Sequence, residues 1–349
     1  MQRSASRPRR SSVAALAVGA AGLLMTLACG GAAGTAPSTS SGASLPAAQL
    51  ALVAYSTPQE PYQKIIAAFR KTSQGKNITF TQSYGGSGDQ SRAVESGLRA
   101  DVVAFSLEPD VTRLVKDGIV AADWNTDQYK GDITDSVVVL ATRKGNPKHI
   151  KGWDDLTRPG AEVITPNPFA SGGARWNVLA AYGAKSRVGK DDQTGIAYLN
   201  DLFKHVPVQD NSARNSLQTF AGGKGDVLIS YENEAIFARQ HGQALDYVIP
   251  DQTILIENPI AVTTKTRYPQ QAKAFVDFLH GSTAQRIFAD AGYRPVVSGV
   301  ARTGEFKTPA QLFTITDVGG WTTVNKRFFD PQTGVLVDVE RKLGVATQQ

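Results

Sequence analysis

Val163-Ile164-Thr165-Pro166-Asn167-Pro168-Phe169-Ala170-Ser171-Gly172-Gly173-Ala174-Arg175-Trp176-Asn177 is the stretch on which the fold reading turns. Apolar β-branched residues open it, and two prolines with an asparagine turn the chain. Beyond Ser171-Gly172-Gly173, apolar residues recur at helical spacing to about 186. A strand that runs through small residues directly into a helix is the building unit of α/β sheets. The same unit recurs on both sides. Strands are expected at 50–55, 78–84, 101–105, 137–141, 206–208, 227–230, 254–256 and 260–262. Helices are expected at 62–71, 94–99, 111–115, 172–186, 191–205, 269–280 and 282–290. No fixed-period repeat interrupts the alternation, so solenoids and propellers are excluded. The expectation is an α/β fold of mostly parallel sheets flanked by helices.

Ligands of open α/β sheets lie beyond the carboxyl ends of the strands, where loops enter helices. Those junctions hold Ser56-Thr57-Pro58, Gly85-Gly86-Ser87-Gly88, Ser171-Gly172-Gly173, Asn211-Ser212-Ala213-Arg214 and Tyr231-Glu232-Asn233. Glycine and serine let backbone N–H groups approach a ligand closely, and a helix N-terminus adds partial positive charge. Several such ends aimed at one spot from two lobes would hold an anion without any Lys or Arg in contact. Each loop alone reads more readily as a turn; their shared position at strand ends is what points to an anion site.

The 349 residues carry a net charge of +6, but four of those charges are Arg3, Arg7, Arg9 and Arg10, and residues 1–28 hold no acid. The remainder is close to neutral, which removes the main support for nucleic-acid binding. Residues 13–28 are uncharged and mostly apolar, too short for a spanning helix, and follow a basic start. That pattern is an export signal. The single cysteine, Cys29, stands at its end, so no internal disulfide can form. The arrangement resembles a bacterial lipoprotein signal, cleaved before a lipid-modified Cys29. The run 30–46 is uncharged and rich in Gly, Ser, Thr and Ala, a flexible tether with a reach on the order of 20–25 Å. The expected organisation is a signal at 1–28, a linker at 29–46, one lobe from 48–134 plus 256–349, and a second lobe at 135–255.

The stretch from Val163 to Asn177 resembles the sulfate-binding proteins of bacterial ABC sulfate/thiosulfate importers. Tyr84-Gly85-Gly86-Ser87-Gly88, Arg143-Lys144-Gly145-Asn146-Pro147-Lys148, Gly225-Asp226-Val227-Leu228-Ile229 with Glu232-Asn233-Glu234-Ala235, and Tyr293-Arg294-Pro295 match the same family in order. The resemblance spans about 50 to 330. It implies a two-lobed periplasmic-binding-protein (type II) fold with the ligand in the interlobe cleft. It also implies delivery of sulfate or thiosulfate to ABC permease subunits, and no catalysis. Position by position, it implies that Ser87 donates its hydroxyl and backbone N–H, Ser171 its hydroxyl, and Gly172, Gly173 and Ala213 their backbone N–H groups. Ser56 stands where the family commonly has Asp and would contribute a backbone N–H. Tyr231 stands where the family often has Trp, and a phenol would donate in place of an indole. Asp89 follows the glycine loop where the family often has Lys, and is expected to point to solvent. Arg175 would support the Ser171 loop without touching the ligand.

Chemistry favours sulfate independently of the resemblance. Sulfate carries no proton near neutral pH and only accepts hydrogen bonds, whereas phosphate keeps a proton that needs an acceptor. None of the expected ligand positions is Asp or Glu, so the site should reject phosphate. Molybdate or phosphate remains the alternative within the same class. An exported serine hydrolase is the alternative of another class, since Gly85-Gly86-Ser87-Gly88-Asp89 misses the nucleophile elbow by its last residue. No P-loop and no H-E-x-x-H occurs, and His149, His205, His241 and His280 show no metal-ligand spacing. No cofactor or metal is expected.

Overall fold

The structure, a computed structural model, describes residues 44–345. The expected signal, Cys29 and the linker through residue 43 lie outside the described residues. The last linker residues, 44–46, are tied to the body: Asn77 Nδ2 donates to Ser44 Oγ and Leu45 O, and Gln271 Nε2 to Pro46 O.

Ten strands form one continuous curled sheet in the order β2-β1-β3-β8-β4-β6-β5, with β7 and β9 on β4 and β10 on β8. One half consists of β1 (Ala48–Tyr55), β2 (Ile78–Gly85) and β3 (Val102–Ala104), with β1 parallel to both neighbours. Helices α1 (Gln59–Phe69), α2 (Ser87–Glu95) and α3 (Glu108–Lys116) follow them in turn. The other half centres on β5 (Val163–Ile164) and β6 (Val227–Tyr231), again parallel, with β7 (Leu245–Val248) at its side. Its helices are α4 (Gly172–Lys185), α5 (Asp192–Lys204), α6 (Ala213–Ala221) and α7 (Glu232–Gln240).

Two long strands cross between the halves. β4 (Asp132–Arg143) pairs with β8 at its start and with β6 and β7 further on, always antiparallel. β8 (Gln252–Val262) pairs with β4 and then, through Ile260–Val262, with β3. The return at 254–262, expected as two strands, is this single crossing strand. Helices α8 (Pro269–Leu279) and α9 (Ser282–Asp290) then pack on the first half, against α1. β9 (Arg294–Pro295) and β10 (Gln311–Phe313) close the sheet edges. This is the two-lobed type II architecture, its lobes joined by the crossing strands.

Three local expectations differ from the structure. The helix expected at 94–99 runs instead over Ser87–Glu95, and Gly97, at φ +106°, ends it. Glycine at a helix start costs little, because the first N–H groups have no intrahelical acceptor in any sequence. Residues 206–208 make only an isolated bridge, Ile164 with Val208. The C-terminal segment, expected with the first lobe, packs on the second: Trp321 stands edge-on to Trp176 and Phe328 to Tyr182, both of α4.

The core follows from the apolar strands. β1, β4 and β6 are buried almost throughout, as strands covered on both faces must be. The ladder pairings of these strands set their register, and so the positions of the loops at their carboxyl ends.

Candidate functional site

Between the halves lies a small cavity of about 10 Å³, lined by Tyr55, Ser56, Thr57, Gly85, Gly86, Ser87, Ser106, Ser171, Gly173, Ala213 and Tyr231. The lining comes from strand-to-helix junctions of both halves. Gly86 and Ser87 begin α2, Ser171 and Gly173 begin α4, Ala213 begins α6 and Tyr231 precedes α7. Each of these ends offers N–H groups with no acceptor in their own helix, and each adds the positive end of a helix dipole. The Ser171 side chain caps no N–H of α4, whereas Ser212 caps α6 by accepting from Asn215 N–H at 3.2 Å. Ser171 therefore keeps its hydroxyl available to the cavity.

No lining residue is charged. Charges stand behind the loops and hold their carbonyls. Arg214 donates to Thr57 O at 2.9 Å while paired with Glu234 on two contacts of 2.9 and 2.8 Å. Arg175 donates from Nε to Pro168 O at 2.9 Å and from Nη1 to Asn325 Oδ1 at 3.1 Å, with its guanidinium over the Phe329 ring. Asp89 is absent from the lining; its carboxylate pairs with Arg92 at 2.5 Å and is 38% exposed.

Behind the Ser87 loop stands the carboxylate of Asp110, which is 3% exposed. It accepts the Ser87 hydroxyl at 2.5 Å, and its own backbone carbonyl accepts from Ser91. Burial pushes its carboxyl above the usual range, and the Arg175 guanidinium pulls it back. A buried carboxylate takes the nearest donors because leaving it unbonded is costly. That demand redirects the Ser87 proton away from the cavity, where the sequence reading had placed it. The Ser87 Oγ also accepts the Ser106 N–H at 2.9 Å, so only the backbone N–H of Ser87 is left for a ligand.

Of the residues expected from sequence, the structure brings Ser56, Ser87, Ser171, Gly173, Ala213 and Tyr231 around one space. Gly172 lies just outside the lining, facing Ser106 and Leu107: a Cβ there would stand 2.7 Å from Ser106 Oγ and 2.8 Å from Leu107 Cδ2. Arg175 grips the loop that ends at Ser171. Ser106 was missed. It follows β3, between Phe105 and Leu107, and resembles a core residue in sequence. Position after a strand was the available signal. Burial drives the Tyr231 phenol well above its ordinary range, so it stays a donor. Its Oη lies 2.7 Å from Ser106 Oγ.

A larger groove beside the site, between α3 and the C-terminal segment, is lined by both signs: Arg113, Lys116 and Lys326 against Glu95, Glu108 and Asp330. Its opposed charges favour no one ligand class. Among the described residues no group of three metal-ligating side chains occurs, and no helix is long and apolar enough to cross a membrane.

Comparison with known proteins matches residues 50–294 to the family of bacterial extracellular solute-binding proteins. A sulfate-binding protein of Synechococcus elongatus is 41% identical over 92% of this chain and 94% of its own length. A thiosulfate-binding protein of Pseudomonas aeruginosa is 34% identical over 82% of this chain and 91% of its own. Among solved structures, the sulfate-binding protein SubI of Mycobacterium tuberculosis superposes with a TM-score of 0.79 at 47% identity, covering 81% of this chain and 99% of that one.

Proposed function

The chain belongs to the sulfate-binding proteins among the bacterial extracellular solute-binding proteins, and from that membership we propose that it captures sulfate outside the cytoplasmic membrane, accepts thiosulfate as well, and hands the anion to the permease of an ABC importer. The observation that carries the reading is a cavity lined from both halves by hydroxyls and helix N-termini, with no charged side chain in it. Such a lining offers donors to every oxygen of an anion that has no proton to give. A hydrogen phosphate would set its proton against donors and leave buried groups unpaired.

The residues we assign to the ligand are Ser171 through its hydroxyl; Ser87, Gly172, Gly173, Ala213 and Ser56 through N–H groups; and Tyr231 through its phenol. We assign no catalytic role. The Ser87 side chain meets Asp110 and the Ser106 N–H, with no histidine to act as its base. Export and lipid anchoring through Cys29 complete the proposal and rest on the sequence. Radiolabelled palmitate incorporated by the native chain and lost in Cys29→Ala tests the anchor.

The decisive test is calorimetric titration of the body, residues 47–349, after exhaustive dialysis, with sulfate, thiosulfate, molybdate and phosphate. Tight sulfate binding with phosphate silent is the expected result. Phosphate binding tighter than sulfate would require an acceptor in the site and overturn the assignment.

A further inference from the structure

Ser106 is 1% exposed, and every polar group it owns is engaged. Its N–H goes to Ser87 Oγ at 2.9 Å. Its carbonyl accepts from Trp176 Nε1 at 2.7 Å and from Asn258 Nδ2 at 3.1 Å. Its hydroxyl meets the Tyr231 phenol at 2.7 Å, and both side chains line the cavity. Ser106 comes from the β3 junction of one half; Trp176 and Tyr231 belong to the other. The serine is thus held rigidly, in register with both halves, at the wall of the cleft.

Two hydroxyls in contact own two protons, and the bond between them uses one. The second needs an acceptor. Asn258 Oδ1 already accepts from Tyr55 Oη at 3.0 Å and Thr134 Oγ1 at 3.3 Å. The Ser106 carbonyl is doubly occupied as well. Both hydroxyls line the cavity, which is open to the second proton. A buried O–H is costly unless something accepts from it, and a sulfate oxygen in the cavity would.

We propose that Ser106 is a sulfate-binding residue whose hydroxyl and that of Tyr231 form one shared donor, either of them able to give the proton to the anion. The inference rests on the sulfate-binding function proposed above. It explains how a tyrosine serves here: the phenol does not have to reach the anion itself, because it can pass its proton to Ser106 and free the serine proton for the ligand. It also predicts a particular non-additivity. Removing one hydroxyl leaves the other with its proton and a clear path to the cavity; removing both removes the donor.

The test is a double-mutant cycle on the sulfate Kd, read by calorimetry on the body. Ser106→Ala and Tyr231→Phe alone should each weaken binding by no more than about 3-fold, and the double variant by about 30-fold or more, the scale of one hydrogen bond to a charged group. Melting of the ligand-free variants keeps the folds comparable, and binding is compared only among variants that melt within a few degrees of one another. If Tyr231→Phe proves unstable, Ser106→Ala alone still decides: a loss of about 30-fold in that single variant makes the serine the sole donor and overturns the sharing. A double variant no weaker than the product of the singles overturns the shared donor while leaving sulfate binding intact. A wild-type chain that binds none of the four oxyanions overturns the function and this inference with it.

Discussion

In the cavity, hydroxyls and helix N-termini surround a space with no charged side chain, and the carboxylates behind it are engaged, Asp110 by Ser87 and Glu234 by Arg214. Where β4 and β8 cross between the halves, the arrangement is reversed. Asp132 and Asp135 of β4 meet Glu257 of β8, with Asp135 directly paired to Glu257 in the ladder. Among the described residues none of the three has an ion-pair partner within contact distance, and Glu108 and Asp127 add further negative charge. Arg294, already paired with Glu232, and Lys130 are the opposing cations. Burial first, then neighbouring carboxylates, pushes Asp132 up to about 8 and Asp135 up to about 7, and raises Glu257. Fixed dipoles can face a doubly charged ligand without titrating themselves; carboxylates gathered without partners move their proton equilibria into the neutral range instead.

The comparison can be broken most forcefully at the paired charges behind the cavity. Arg214 holds Glu234, which is 1% exposed on its side chain. Arg214→Ala leaves that carboxylate buried and alone, and should cost about 3–5 kcal/mol in urea unfolding. A variant as stable as wild type would show that the pair does not carry the loop. Gly86→Ala probes the closeness of the halves. Its Cβ would stand 2.7 Å from Asn211 O and 2.9 Å from Ala170 O, both backbone atoms of the opposite half. The halves must part to make room, so sulfate affinity should fall about 100-fold or more, a loss of ~2.7 kcal/mol. Melting of the ligand-free protein should stay near wild type, since the clash lies between halves and not within one; undiminished affinity would mean that binding does not need this approach.

Ser171→Ala removes a single hydroxyl that caps nothing. A hydrogen bond to a charged group contributes about 1.5–3 kcal/mol, so the sulfate Kd should rise roughly 10- to 100-fold in the same titration. The smallest effect belongs to the crossing strands. Carboxyls whose folded pKa lies above the unfolded value of about 4 bind more protons in the folded state. Their contribution to stability is fully present below about pH 4 and is lost as pH rises through 7 and 8. Urea midpoints should therefore fall between pH 5 and 8, and Asp132→Asn with Asp135→Asn should flatten the slope. Glu340, buried and bonded to Gln209, is pushed up to about 7 and leaves a residual slope in that variant. An unchanged slope would assign the pH dependence elsewhere.

Much of the site was legible because its parts are local. Gly85-Gly86-Ser87, Ser171-Gly172-Gly173 and Ala213 announce themselves by small residues at the end of an apolar strand, and a parallel sheet brings those ends to one side whatever the loops contain. Ser106 escaped because its neighbours Phe105 and Leu107 face the core, so the junction reads as buried packing. The C-terminal segment was misplaced because its apolar residues say that it packs, and nothing in their spacing says on which lobe.

The sequence by itself determined the alternation of strands and helices, the supply of backbone N–H groups at strand ends, and the lack of a charged side chain at the positions that line the cavity. Tertiary structure decided which protons those donors keep. Ser87 gives its hydroxyl to Asp110, 23 residues on, and Ser106 meets Tyr231, 125 residues on. A hydroxyl rotates to the strongest acceptor within reach, and what lies within reach is set by how the two halves come together rather than by the order of residues along the chain.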